Sequence, residues 1–141
     1  MQALTSVLIV DDEIDLATLL CLIFDMAGFR VAHAVNGQLG LATLPIFQPD
    51  VVVLDVEMPE LDGPGMAAAM LVHDCGQENI PIVLLSGAPD VDLIAARVGT
   101  PYFLEKPVDT DTVLAMVRKA ARDRQPPRPV DGFGGHHAVV A

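Results

Sequence analysis

The sequence predicts an α/β fold built on a parallel sheet, and two patterns predict it. Five short apolar runs alternate with five segments of helical periodicity over 141 residues. Alternation at that length means parallel strands joined by right-handed crossovers. The most apolar run, Val51-Val52-Val53-Leu54, has no polar break, as suits a strand buried on both faces. It stops at Asp55, and Asp62-Gly63 then marks an irregular loop. A lone aspartate there is also what a turn-forming residue looks like, so the remaining elements decide its meaning.

The first strand is 7–10, ending in Asp11-Asp12-Glu13. Residues 14–27 are helical, with Leu16, Leu19, Leu20, Ile23, Phe24 and Ala27 on the core face and Asp15, Thr18 and Asp25 on the wetter one. Gly28 closes this helix. A second strand covers 30–34. Asn36 caps a short helix from about 37 to 44, which Pro45 ends. The third strand is followed by a helix that Pro64 starts, that packs through Met66, Met70 and Leu71, and that Gly76 stops. Pro81 should open the fourth strand, Ile80–Leu85, where its missing N–H costs least. A short helix, 90–98, ends at Gly99. Tyr102-Phe103-Leu104 is the fifth strand. Asp109 caps the last helix, with Val113, Val117 and Ala120 inward and Arg118, Lys119 and Arg122 near its C-terminus, where the helix dipole favours them. This assigns 1–122 to one domain and 123–141, with Pro126-Pro127 and Pro129, to a flexible tail.

Composition excludes several function classes. With 52% hydrophobic residues and no apolar run near 18 residues, the chain reads as soluble and globular, without a membrane span. No basic segment precedes an apolar stretch as a signal peptide would require, so a cytoplasmic location is expected. Residues 1–117 hold 17 acidic and 3 basic side chains, net −14, whereas 118–141 carry net +3. The acidic body repels nucleic acid. The basic stretch 118–128 reads as a capped helix end and solvated linker ahead of a partner contact. Cys21 and Cys75 show no metal-ligand spacing and read as reduced thiols. His33 and His73 read as structural, and His136-His137 as solvated rather than ligating.

Four strand ends carry polar groups: Asp11-Asp12, Asp55, Ser86 and Lys106. Singly, an acid pair caps a helix, Ser-Gly makes a turn, and a lysine reaches water. Together they fall on one edge of a parallel sheet, where ligands bind in such folds. Three carboxylates about 5 Å apart repel by roughly 3 kcal/mol per pair at an effective dielectric near 20. Such a cluster needs a cation. All-oxygen ligands favour Mg²⁺ or a similar hard ion such as Mn²⁺. Asp55 can then act as a carboxylate nucleophile toward phosphorus. Lys106 and the Ser86 hydroxyl would hold the phosphoryl oxygens.

Asp11-Asp12, Asp55 with Met58-Pro59 and Asp62-Gly63, Ser86-Gly87, and Lys106-Pro107 together resemble a response-regulator receiver domain of two-component signalling, over about residues 5–122. The resemblance implies a flavodoxin-like, doubly wound (βα)5 fold with sheet order 2-1-3-4-5. It implies that Asp55 accepts phosphate from a histidine kinase or histidine phosphotransfer protein. Asp11, Asp12, Asp55 and the Glu57 backbone carbonyl would surround Mg²⁺. It further implies a switch from Ser86 to Phe103, the residue at the place of the family's aromatic, and a cis Lys106–Pro107 peptide that aims Lys106 at Asp55. Glu57 and Ala88 flank the site at positions that tune hydrolysis.

Three departures stand out. The Ser86-to-Lys106 stretch is about two residues short, which predicts a short fourth helix. Pro101-Tyr102 replaces the usual acidic residues. Only the tail follows the domain, so the chain resembles a stand-alone receiver whose output is a protein contact, with a homodimer as one option. The alternatives are a receiver-like module working without phosphorylation and a Mg²⁺-dependent haloacid-dehalogenase-type phosphatase. The latter's Asp-x-Asp nucleophile would follow the first strand, not the third. No Gly-x-Gly-x-x-Gly follows the first strand, which argues against dinucleotide binding.

Overall fold

In the computed structural model, which describes residues 4–58, 61–72 and 77–128, the five apolar runs form one sheet. The strands are β1 (Ser6–Val10), β2 (Arg30–Ala34), β3 (Val51–Asp55), β4 (Ile82–Ser86) and β5 (Tyr102–Glu105). They are parallel throughout, in the order β2-β1-β3-β4-β5. Every residue of β1, β3 and β4 is buried, while β2 and β5, at the edges, are only partly so. That is why the central strands read as unbroken apolar runs. Pro59, His73, Cys75, the Gly76 helix stop, and the tail from Pro129 with His136-His137 lie outside the described residues.

Alternation along the strands divides the core into two layers. Val7, Ile9, Val51, Val53, Val83, Leu85 and Tyr102 face α1 (Ile14–Met26) and α5 (Thr110–Asp123). Leu8, Val10, Val52, Leu54, Ile82 and Leu84 face α2 (Gly37–Phe47), α3 (Gly63–Val72) and α4 (Val91–Val98), with Phe103 packed against them. Tyr102 is thus turned away from the side that its neighbour Phe103 occupies. Its hydroxyl sits 3.5 Å from Asp123 Oδ2.

Two details correct the sequence expectations. Leu19 is 47% exposed. The residues of α1 that bury are Ala17, Leu20 and Phe24, and Leu19 lies about 100° around the helix from Leu20, away from the sheet. Pro45 does not end α2, which runs on to Phe47. Pro45 brings no N–H to the Leu41 carbonyl, and the helix runs only two residues beyond it. The Arg30 guanidinium donates to the Phe47 carbonyl at 2.6 Å and lies 4.3 Å over its ring. Gln48, in the left-handed region, closes the helix by donating to Leu44.

The other caps follow the sequence. Asn36 accepts from the Leu39 amide, and Asp109 from those of Asp111 and Thr112. α4 has eight residues and stops at Gly99, φ +86°. Pro81 sits just before β4 and accepts from Val52 N. Packing continues past residue 122: α5 runs through Asp123, Pro127 is buried, and the Arg128 amide donates to the Gly99 carbonyl. Among the described residues no helix is long and apolar enough to cross a membrane.

Candidate phosphoacceptor site

The carboxyl ends of β1, β3, β4 and β5 meet at one rim because all four strands are parallel and in register. Asp55 pairs with Leu85, and Ser86 with Glu105, one residue short of Lys106. The Lys106 amide donates to the Ser86 carbonyl at 2.7 Å, and the Asp11 amide to that of Ala34. Asp11, Asp12 and Asp55 each present a carboxylate oxygen, all within 4.8 Å of one another. Asp11 and Asp55 are buried; Asp12 is exposed.

Lys106 is the counter-charge. Its Nζ lies 3.1 Å from Asp11, 3.3 Å from Asp55 and 3.5 Å from Glu13. The Lys106–Pro107 peptide is cis. Burial pulls the ammonium down, but Asp11 and Asp55 outweigh it and hold Lys106 above the usual lysine range. Asp55 goes the other way. Burial, then the nearby Asp11 charge, push its pKa up to about 7 against the pull of Lys106. One ammonium does not balance this many carboxylates. The donors are hard oxygens in a space a small cation can bridge, which fits Mg²⁺ or Mn²⁺.

The side towards β4 is different. The Ser86 hydroxyl donates to the Glu57 carboxylate, 2.9 Å from Oε1 and 3.0 Å from Oε2, and Gly87 N donates to Oε1 at 3.1 Å. Ser86 Oγ in turn accepts from Ala88 N at 2.9 Å. Phe103 is half-buried beside Ile82 and Leu84.

Sequence reasoning singled out the Glu57 main chain and missed what its side chain does. It also missed Gly63. A Cβ there would collide with the Asp55 carbonyl, and the Gly63 amide donates to Val56 at 3.0 Å. The glycine therefore lets the loop close against the strand end. The Asp-Gly pair was the available signal, and Asp62 Oδ1 caps α3 by accepting from Gly65 N. His33, which reads as structural in the sequence, lies 2.9 Å from the Asp11 carbonyl through Nε2. A carbonyl only accepts, so Nε2 carries the proton.

A five-stranded 2-1-3-4-5 sheet with acidic groups and a lysine on its carboxyl rim defines a class, and the comparisons agree. The model of the response regulator receiver domain matches residues 7–118, and this chain belongs to that family. It is 35% identical over 120 residues to the transcriptional regulatory protein FixJ of Bradyrhizobium diazoefficiens, covering 84% of this chain and 57% of that one. To sporulation initiation phosphotransferase F of Bacillus subtilis it is 31% identical over 115 residues, covering 80% of this chain and 90% of that one. The chemotaxis protein CheY4 of Vibrio cholerae superimposes with a TM-score of 0.75 at 28% identity, covering 83% and 98% of the two chains. The chain spans between 26% and 57% of the length of the first curated relatives it matches.

Proposed function

We propose that this receiver is a phosphorylation-dependent signalling switch. Asp55 accepts a phosphoryl group from a histidine kinase or histidine phosphotransfer protein, and a protein-contact surface changes in response. The observation that carries the reading is the Asp55 carboxylate, buried at a strand end, 3.3 Å from Lys106 and grouped with Asp11 and Asp12.

A carboxylate oxygen of Asp55 forms the new O–P bond while the N–P bond of the donor phosphohistidine breaks and its electron pair returns to the imidazole. Lys106 neutralises charge on the transferring oxygens, and the Ser86 hydroxyl donates to one of them. Asp11, Asp12, Asp55 and the Glu57 backbone carbonyl would hold Mg²⁺ or Mn²⁺, which supplies positive charge to the phosphoryl oxygens. An open concavity of about 410 Å³, lined by Glu13, Leu16, Gly87, Lys106, Pro107 and Val108, gives a donor room to approach.

Ser86, drawn to the phosphoryl group, and Phe103, packed on the β4 side, form the route to the α4–β5–α5 face. That face then meets an output protein or a second copy of this chain. The domain is taken as 1–122, with 123–141 as a tail whose first residues, as far as Arg128, pack back on it, working in the cytoplasm without direct contact to nucleic acid or membrane. In the test, backbone resonances are followed as acetyl phosphate is added with Mg²⁺. Larger shifts in 86–104 than in 30–45 are expected; equal or reversed shifts would contradict the route.

A further inference from the structure

The donors that the proposed phosphoryl group needs beside β4 are already taken. The Ser86 hydroxyl and the Gly87 amide both point at the Glu57 carboxylate, at 2.9–3.1 Å. Their geometry is tightly set, since Ser86 Oγ also accepts from the Ala88 amide. Glu57 stands two residues past Asp55 and is itself exposed, between buried Val56 and half-buried Met58, so its side chain can swing into water without opening a cavity. Among the described residues, chain neighbours aside, a Cβ at Gly87 would meet Glu57 Oε1 within 4 Å, at 3.8 Å. The carboxylate therefore lies over this junction without being packed into it.

A hydroxyl has one hydrogen. Ser86 cannot donate it fully to Glu57 and to a phosphoryl oxygen at once, and two anions sharing that corner repel. Lys106 reaches the phosphoryl oxygens from the Asp11 and Asp55 side and does not replace the two donors beside β4. Resting on the assignment of Asp55 as acceptor, we infer that Glu57 is a resident competitor for the phosphoryl subsite. Its carboxylate fills the Ser86 and Gly87 donors while Asp55 is unmodified, and it must leave for the phosphoryl group to bind. Two consequences follow. The β4–α4 junction is held in a bonded arrangement before any signal arrives. The site's hold on a phosphoryl group is weaker than its donors alone would give. Glu57 is thus a positioning residue acting through Ser86 and Gly87.

The test uses the full chain, E57A and E57Q, with saturating Mg²⁺ and beryllium fluoride, which occupies the place of a phosphoryl group on a carboxylate. Titration followed by amide resonances is expected to show binding about tenfold tighter in E57A, with E57Q between, since its amide oxygen still accepts but carries no charge. In resting protein, hydrogen exchange at the Gly87 amide should be several-fold faster in E57A than in wild type. Unchanged or weaker beryllium fluoride binding in E57A overturns the competition. Unchanged Gly87 exchange overturns the resident contact. If wild type and both variants all fail to bind the probe, the Asp55 assignment and the competition resting on it fall together, and Gly87 exchange still decides the resident contact.

Discussion

The two sides of the rim hold carboxylates in opposite conditions. Towards β1 and β3, Asp11 and Asp55 are buried, crowded against Asp12, and served by the single ammonium of Lys106. Towards β4, Glu57 is exposed and its carboxylate takes a hydroxyl and a backbone amide. The first side is short of positive charge, although the Glu13 amide donates to Asp11 at 2.8 Å; burial and the Asp11 charge together put the Asp55 pKa near 7. The second has its donors filled from within. A phosphoryl group with its cation would relieve the first side and disturb the second, so one event acts oppositely on two neighbouring strand ends.

Removing Lys106 should break the comparison most severely. Lys106→Met leaves the buried acids without their cation, and a loss of about 3 kcal/mol in urea unfolding of metal-free protein is expected. Phosphorylation by acetyl phosphate should slow by roughly 10²-fold, as for loss of one charge-stabilising donor. Mg²⁺ should bind more tightly, because the competing ammonium is gone. An unchanged unfolding midpoint would show that Lys106 does not offset the carboxylates.

Gly63→Ala sharpens the geometry instead. The added methyl meets the Asp55 carbonyl, and overpacking of this kind costs about 1–3 kcal/mol. Unfolding midpoints should fall accordingly. Gly65→Ala is a milder control, because its close neighbours are side-chain atoms, the end of Leu61 and Asp62 Oδ1. Equal losses in the two variants would remove the special role given to the loop closure.

The crowded side should also respond to pH. The Asp55 pKa is raised from its ordinary value near 3.8 to about 7 by burial and by Asp11. Its contribution to stability is therefore full below about pH 4 and lost as pH rises through about 7. A cation binds the ionised form, so Mg²⁺ affinity by calorimetry should rise with pH up to about 7, at most roughly tenfold per unit, and level off above. Affinity independent of pH between 5.5 and 7 would contradict the raised value.

Ser86→Ala should have the smallest effect on folding. Glu57 is exposed and regains water, so a cost of about 0.5–1 kcal/mol is expected for the lost hydrogen bond. A loss several times larger would mean that Glu57 is held far more firmly than its exposure allows.

What the sequence made legible follows from burial. β1, β3 and β4 are covered on both faces, so their apolar runs are unbroken and the residue at which each stops, Asp11, Asp55 or Ser86, is conspicuous. Lys106 was legible because so few cations interrupt the acidic body. Features set by neighbours distant in sequence were not. Pro45 lies inside α2, and the Phe47 carbonyl in that helix's last turn takes its donor from Arg30, on β2. Leu19 faces outward because the helix buries a narrower stripe than its apolar residues could fill. The Glu57 side chain meets Ser86, 29 residues away, and no local pattern encodes that contact.

The central claim is that Asp55 takes the phosphoryl group. Wild type and Asp55→Asn are incubated with acetyl phosphate and Mg²⁺ and followed by intact mass. Wild type should gain one phosphoryl group and the variant none. A gain in the variant at the wild-type rate would contradict the account.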